Sequence, residues 1–274
     1  MTGRWSALVG PLAWLVLGVA PTAVGQGGGP PALDPSPPPV SSVASDAGAS
    51  PGGAPFSVAV LEFEPVLGAK EQNLRRLEGD IGRAFDRGAK LVVTPEMATT
   101  GYHFSERADV AALVETIPGP TTDRIATIAK KHGGYVVVSL PERDRDTDLF
   151  YISAALVGPD GVVGKYRKSH IWQQEEFWAA RGNLGVPVFD TPLGRIAMLI
   201  CMDVVFAEPA RVAAVQGADV LVVPTNSSAQ TVSLMQGMAL QNGIFVVGSN
   251  RAGTERDFHM PGGSGVWAPD GSVV

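Results

Sequence analysis

GRIAMLICMD (194–203) and FSVAVLEFEP (56–65) share a layout in which an apolar, β-branched run ends in polar or acidic residues. Three further pairs echo each other in the same order along the chain. GAKLVVTPE (88–96) resembles GADVLVVPTN (217–226), KHGGYVVVSL (131–140) resembles QNGIFVVGSN (241–250), and AALVGPDGVV (154–163) resembles SGVWAPDGSV (264–273). Each member has the length and composition of a buried strand. Between the first two members of each set lies a helical pattern. In the first half, Leu74, Leu77, Ile81 and Phe85 recur at helical spacing; in the second, Ala210, Val212, Ala213 and Val215 do so less regularly. The repeating unit is therefore strand, helix, strand, helix, strand, turn, strand, with a Pro-Asp-Gly hairpin turn in each half.

Strands alternating with helices predict an α/β fold with a mainly parallel sheet covered by helices. Two such units in one domain predict a four-layer α-β-β-α sandwich built from two similar half-units. The first hairpin continues past its turn as VVGKYRK, whereas the second stops at Val274, so the C-terminal strand is expected to be truncated. In open α/β sheets functional groups gather at the carboxyl ends of strands. That rule selects the positions to inspect.

The repeat does not begin at Met1. Arg4, the apolar run WSALVGPLAWLVLGVA and the small residues Ala23, Val24 and Gly25 have the layout of a secretory signal over 1–25. Residues 26–55 are mostly Gly, Pro, Ser and Ala and are expected to form a disordered linker. The folded domain is then 56–274. No later run is long enough to cross a membrane, so an exported protein without a stable span is expected after cleavage. Net charge is -6 without a basic stripe, which argues against nucleic acid as a partner.

The chain has a single cysteine, Cys201, so no internal disulfide is possible. A lone thiol is either packing or a reactive group. Cys201 closes the first strand of the second half, Glu96 ends the second strand of the first half, and Lys168 follows the first hairpin in GKYRKSHIW. Each alone has a plain structural reading: a core thiol, a solvated carboxylate, a surface lysine. Together, a thiol, a carboxylate base and an ammonium can form a hydrolytic site. The carboxylate takes the thiol proton, while the cation lowers the thiol pKa and stabilises an oxyanion. His103, His132, His170 and His259 lack metal-ligand spacing, so no metal site is expected. His170 is expected to support the lysine loop.

TPEMATTGY (94–102), KYRKSHIW (165–172) and LICMDVVFAEPAR (199–211) resemble the three catalytic blocks of the nitrilase superfamily, the carbon-nitrogen hydrolases. QNGIFVVGSNRAG and PGGSGVWAPDG resemble that family's later segments, so the likeness runs from about Phe56 to Val274. The resemblance implies the α-β-β-α fold, no cofactor and a Glu-Lys-Cys triad. Glu96 would be the general base, Cys201 the nucleophile that forms a thioester, and Lys168 the oxyanion stabiliser, with the Met202 N–H as second donor. It also implies a second glutamate after the lysine that positions substrate, for which Glu175 and Glu176 both qualify. Tyr102, Phe104, Trp172 and Asn226 are candidates to line the pocket. True nitrilases usually read Cys-Trp-Glu at the nucleophile, whereas this chain reads Cys201-Met202-Asp203. The expectation is therefore an amidase-like enzyme that cleaves an amide or carbamoyl C–N bond of a small molecule, as a homo-oligomer. Nitrile hydrolysis, acyl transfer on the same triad, and a non-catalytic binding domain that kept the fold are the alternatives.

Overall fold

The computed structural model describes residues 55–274. The expected signal segment and all but the last residue of the expected linker lie outside the described residues. The first half begins with β1 (Ser57–Val60), α1 (Lys70–Asp86) and β2 (Ala89–Val93). α2 (Arg107–Val110), α3 (Pro120–His132), β3 (Tyr135–Arg143), β4 (Phe150–Gly158) and β5 (Gly161–Arg167) follow. These five strands form one sheet in chain order. β1, β2 and β3 run parallel, and β4 and β5 return antiparallel through the Pro-Asp-Gly turn.

The second half contains β6 (Val188–Thr191), β7 (Gly194–Met198), α4 (Ala207–Val215), β8 (Val220–Thr225), α5 (Ala229–Asn242), β9 (Phe245–Asn250) and, later, β12 (Gly265–Trp267). Its sheet has the order β12-β9-β8-β7-β6. β7, β8 and β9 are parallel, as β1, β2 and β3 are, and β12 pairs antiparallel with β9, as β4 does with β3. The pairing order therefore repeats as the echoed segments predict.

Two details differ from the sequence reading. Both sheets are mixed rather than mainly parallel, because short hairpins reverse the chain at their edges. One reversal, β6 against β7, had no counterpart in the repeat. A hairpin, β10 (Ala252–Glu255) with β11 (Phe258–Pro261), sits between β9 and β12. Past its own Pro-Asp-Gly turn the second half makes one bridge, Trp267 to Val273, where the first half makes a strand.

Alternation along the strands decides what each sheet face covers, because successive side chains point to opposite faces. Val92, Val136 and Val138 pack with Leu77, Ile81 and Phe85 of α1 and Ile125 of α3. Leu91, Val93 and Val137 point the other way, into a core shared with Ile196, Met198 and Val222 of the second sheet. The sheets also meet through polar contacts: Ser249 Oγ donates to the Leu61 carbonyl at 2.8 Å, and the Glu96 N–H to the Thr225 carbonyl at 3.4 Å. The periodic residues of α1 are all buried, each side chain contributing roughly 1.5–3 kcal/mol. α4 is less regular than its apolar residues suggested. Ala210 and Ala213 are buried, but Val212 and Val215 face outward. Among the described residues no helix is long and apolar enough to cross a membrane.

Candidate active site

Three strand ends converge. Glu96 lies just past β2, Cys201 just past β7, and Lys168 directly after β5. Lys168 is fully buried. Its Nζ donates to Glu96 Oε1 at 2.7 Å and to Glu175 Oε1 at 2.6 Å. Glu175 sits in a short 3-10 turn, Gln173–Phe177, whose placement is fixed by its own carboxylate: Oε2 accepts the Trp172 N–H at 2.8 Å, and Oε1 accepts the Tyr102 hydroxyl. Glu176, the neighbouring candidate, points to solvent and pairs with Arg181 at 3.4 Å. The structure thus brings Glu175 to the lysine and leaves Glu176 outside.

Cys201 opens a second 3-10 turn, Cys201–Val205, and has a φ of +45°, a region that non-glycine residues occupy at a cost. Asp203 holds this turn. Its Oδ2 accepts the Ile200 N–H at 3.0 Å and the Tyr166 hydroxyl at 2.8 Å; its Oδ1 accepts the His170 N–H at 2.9 Å and lies 2.8 Å from His170 Nδ1. The cysteine turn and the lysine segment are thereby tied through one buried carboxylate, and His170 supports the lysine segment as expected. The Cys201 thiol lies 3.2 Å from Ser227 Oγ and donates to the Asn226 carbonyl at 3.6 Å. The N–H of Met202 falls in the first turn, where a 3-10 segment leaves its donors without internal acceptors.

Electrostatics corrects one expectation. The lysine does not bring the thiol pKa below its ordinary value. Burial raises it, the negative charge of Glu96 raises it further, and Lys168 offsets only part of this. Two carboxylates face one ammonium, so with both ionised the cluster is net negative, and a thiolate would add a second uncompensated charge. Glu96 is also raised: burial disfavours its charge, Lys168 opposes that, and Glu175 adds to it. Burial alone would lower Lys168, but the Glu96 charge, with the rest of the cluster, outweighs it and the ammonium is held firmly. One oxygen of Glu96, Oε2, has no hydrogen-bond partner among the described residues.

A cavity of about 240 Å³ opens beside Cys201. Tyr102, Trp172, Met202 and Asn226 line it, whereas Phe104 packs against Trp178 in the core. Both polar atoms of the Asn226 side chain are buried without a partner among the described residues. Among the described residues, no group of His, Cys, Asp and Glu could hold a metal ion.

A family model for carbon-nitrogen hydrolases matches residues 57–274. The chain belongs to this family, the nitrilase superfamily. The hydrolase is 36% identical over 219 residues to a protein of Pyrococcus abyssi named "Nitrilase", covering 79% of this chain and 83% of that one. It is also 36% identical over 193 residues to a Bacillus cereus formamidase, covering 68% of this chain and 58% of the formamidase. Among solved structures, an amidase from Nesterenkonia sp. superposes with a TM-score of 0.71 at 27% identity, covering 82% of this chain and 87% of the amidase.

Several residues of the hydrolase's site carried little sequence signal. Ser227 lies one position from Asn226, yet its contacts, with the Cys201 thiol and the Asn250 side chain, come from other elements. His103 also lines the cavity, with Phe258 and Met260 of β11. Its partner Glu255, on β10, is 152 positions away. The close approach depends on Gly101, whose φ is +80°; a Cβ there would lie 2.6 Å from Glu255 Oε2 and 2.8 Å from Leu67 Cα.

Proposed function

We propose that the protein is an amidase-like hydrolase that cleaves the C–N bond of a small amide or carbamoyl compound through a thioester on Cys201. The observation that carries this reading is the fully buried Lys168 between Glu96 and Glu175, beside a thiol that faces a cavity. Because the thiol is held protonated at rest, attack and proton transfer are coupled: Glu96 takes the Sγ proton as sulfur adds to the carbonyl carbon. Lys168 and the Met202 N–H stabilise the oxyanion. The same proton, returned by Glu96, lets ammonia or an amine leave. Water then attacks the thioester, again losing its proton to Glu96, and the acid departs as Sγ is reprotonated. Glu175 positions Lys168, and Tyr102 positions Glu175. No metal or organic cofactor is needed for these steps. The layer order α-β-β-α is the architecture that the two helix-covered, core-sharing sheets support.

Relatives support the substrate class. One variant of the Nesterenkonia amidase has been solved with butyramide, and another with the acetamide moiety of fluoroacetamide added covalently at its active-site cysteine. The sequence Cys201-Met202-Asp203 favours amides over nitriles. The P. abyssi relative, by its name, keeps nitrile hydrolysis as the second reading. Export rests on the composition of residues 1–25. Self-association is supported by exposed apolar Val212, Val215, Leu234 and Leu240 on α4 and α5. The test is ammonia release from a panel of small amides, carbamoyl compounds and nitriles, run beside Cys201→Ala. Release confined to the protein with Cys201 supports the reading, and release that persists in the variant overturns it.

A further inference from the structure

The cavity beside Cys201 contains a polar group that the hydrolytic steps leave unused. His103 is only 5% exposed, and it lines the cavity. Its ring is fixed on two sides: Nδ1 lies 3.0 Å from Glu255 Oε1, and one face stacks on Phe258 with centroids 4.2 Å apart. Glu255 Oε1 also accepts the N–H groups of Tyr102 at 2.9 Å and His103 at 2.7 Å, while Arg251 Nη1 donates to Oε2 at 2.7 Å. A carboxylate surrounded by donors is itself only an acceptor, so the Nδ1 facing it carries the proton. In the uncharged tautomer so fixed, Nε2 is a lone-pair acceptor, and among the described residues it has no partner. A buried acceptor without a partner is costly, and a ligand that brings a donor removes that cost.

We propose that His103 is a specificity-determining residue that accepts a hydrogen bond from a hydroxyl or amino group on the acyl portion of the substrate. This rests on the reading of Cys201 as the nucleophile of an amide hydrolase. The hairpin β10–β11 supplies both the carboxylate that orients His103 and the apolar wall, Phe258 and Met260, against which short methylene segments can pack. A plain aliphatic acyl group would bury Nε2 unpaired; one bearing a donor would satisfy it. Asn226, whose side-chain amide is also unpartnered in this cavity, remains available to the carboxamide end.

The test measures binding to the Cys201→Ala protein, by calorimetry, of butyramide and its 3-hydroxy and 4-hydroxy derivatives. At least one hydroxylated amide should bind roughly tenfold more tightly than butyramide, the effect of pairing one buried acceptor. Adding His103→Phe, which keeps the ring stack on Phe258, should abolish that preference. His103→Gln, which keeps an acceptor oxygen, should retain part of it and serves if the phenylalanine variant fails to fold. Absence of preference for either hydroxylated amide, or a preference undiminished in the folded His103 variants, would overturn the proposal. The same three amides offered to the protein with Cys201 separate the two readings: discrimination in binding without hydrolysis would leave His103 recognition standing and remove the hydrolytic reading.

Discussion

Replacing Lys168 by methionine should destabilise the hydrolase strongly, and more at high pH than at low pH. The ammonium is fully buried and contacts Glu96 at 2.7 Å and Glu175 at 2.6 Å. Methionine fills similar space without charge, leaving two carboxylates buried near each other. Removing one partner of a buried ion pair costs about 3–5 kcal/mol. In a domain of 150–250 residues each kcal/mol moves Tm by roughly 2–4 °C, so the loss at pH 8 should be about 6–20 °C. Glu96 is already raised above 4.5 by burial and by Glu175 with the lysine present, and without it the carboxylate must rise further. A group raised in the folded state contributes stability below its unfolded pKa, and that stability is lost as pH rises through the folded value. The Tm gap between variant and parent should therefore be narrower at pH 5 than at pH 8. Scanning calorimetry or thermal circular dichroism at both pH values reads it directly. A gap at pH 8 below about 2 °C, less than 1 kcal/mol would produce, would refute the reasoning. So would a gap equal at the two pH values or wider at pH 5.

Three further outcomes are expected. The acid limb of the kcat/KM profile should lie above the ordinary carboxylate value of 4.5, because Glu96 must be deprotonated to act and its pKa is raised; a limb at or below that value contradicts its role. Iodoacetamide should alkylate Cys201 slowly in the parent at neutral pH, and Glu96→Gln, which removes the charge that raises the thiol most, should move the alkylation midpoint to lower pH. Glu175→Gln should lower kcat by roughly tenfold to a hundredfold, since it weakens a charge-assisted hydrogen bond to the reacting lysine, whereas Glu176→Gln should leave kcat within about twofold. Equal effects of the two substitutions in steady-state assays would contradict the assignment.

The parts of the fold legible from sequence were those set by local periodicity. Leu74, Leu77, Ile81 and Phe85 define α1 because helical spacing and burial coincide there. The paired strand order follows because each echoed segment is a short apolar run bounded by turn residues. α4 is legible in part: of the four residues in its pattern, Ala210 and Ala213 make the contact, whereas Val212 and Val215 lie outside. The β10–β11 hairpin was not legible, since four-residue strands containing Gly, His and Met alternate too weakly to register.

The site divides along the same line. Glu96, Lys168 and Cys201 stood out because each follows a strand inside a recognisable block. The choice between Glu175 and Glu176 could not be made locally. Both are acidic residues of one short turn, and what separates them is the position of Lys168 and Tyr102, the latter 73 positions away. The direction of the thiol pKa had the same origin. A cation was visible near Cys201 in the motif pattern, but the balance of two carboxylates against it emerges only when three strand ends are brought together.

The most direct measurement is the mass of the Cys201 peptide after mixing the protein with a hydrolysable small amide and quenching in acid during turnover. The account predicts a gain equal to the acyl group less one hydrogen, located on Cys201, removed by neutral hydroxylamine, and absent in Cys201→Ala together with ammonia release. Ammonia release with Cys201 replaced, or an acyl group found on any other side chain, would contradict it.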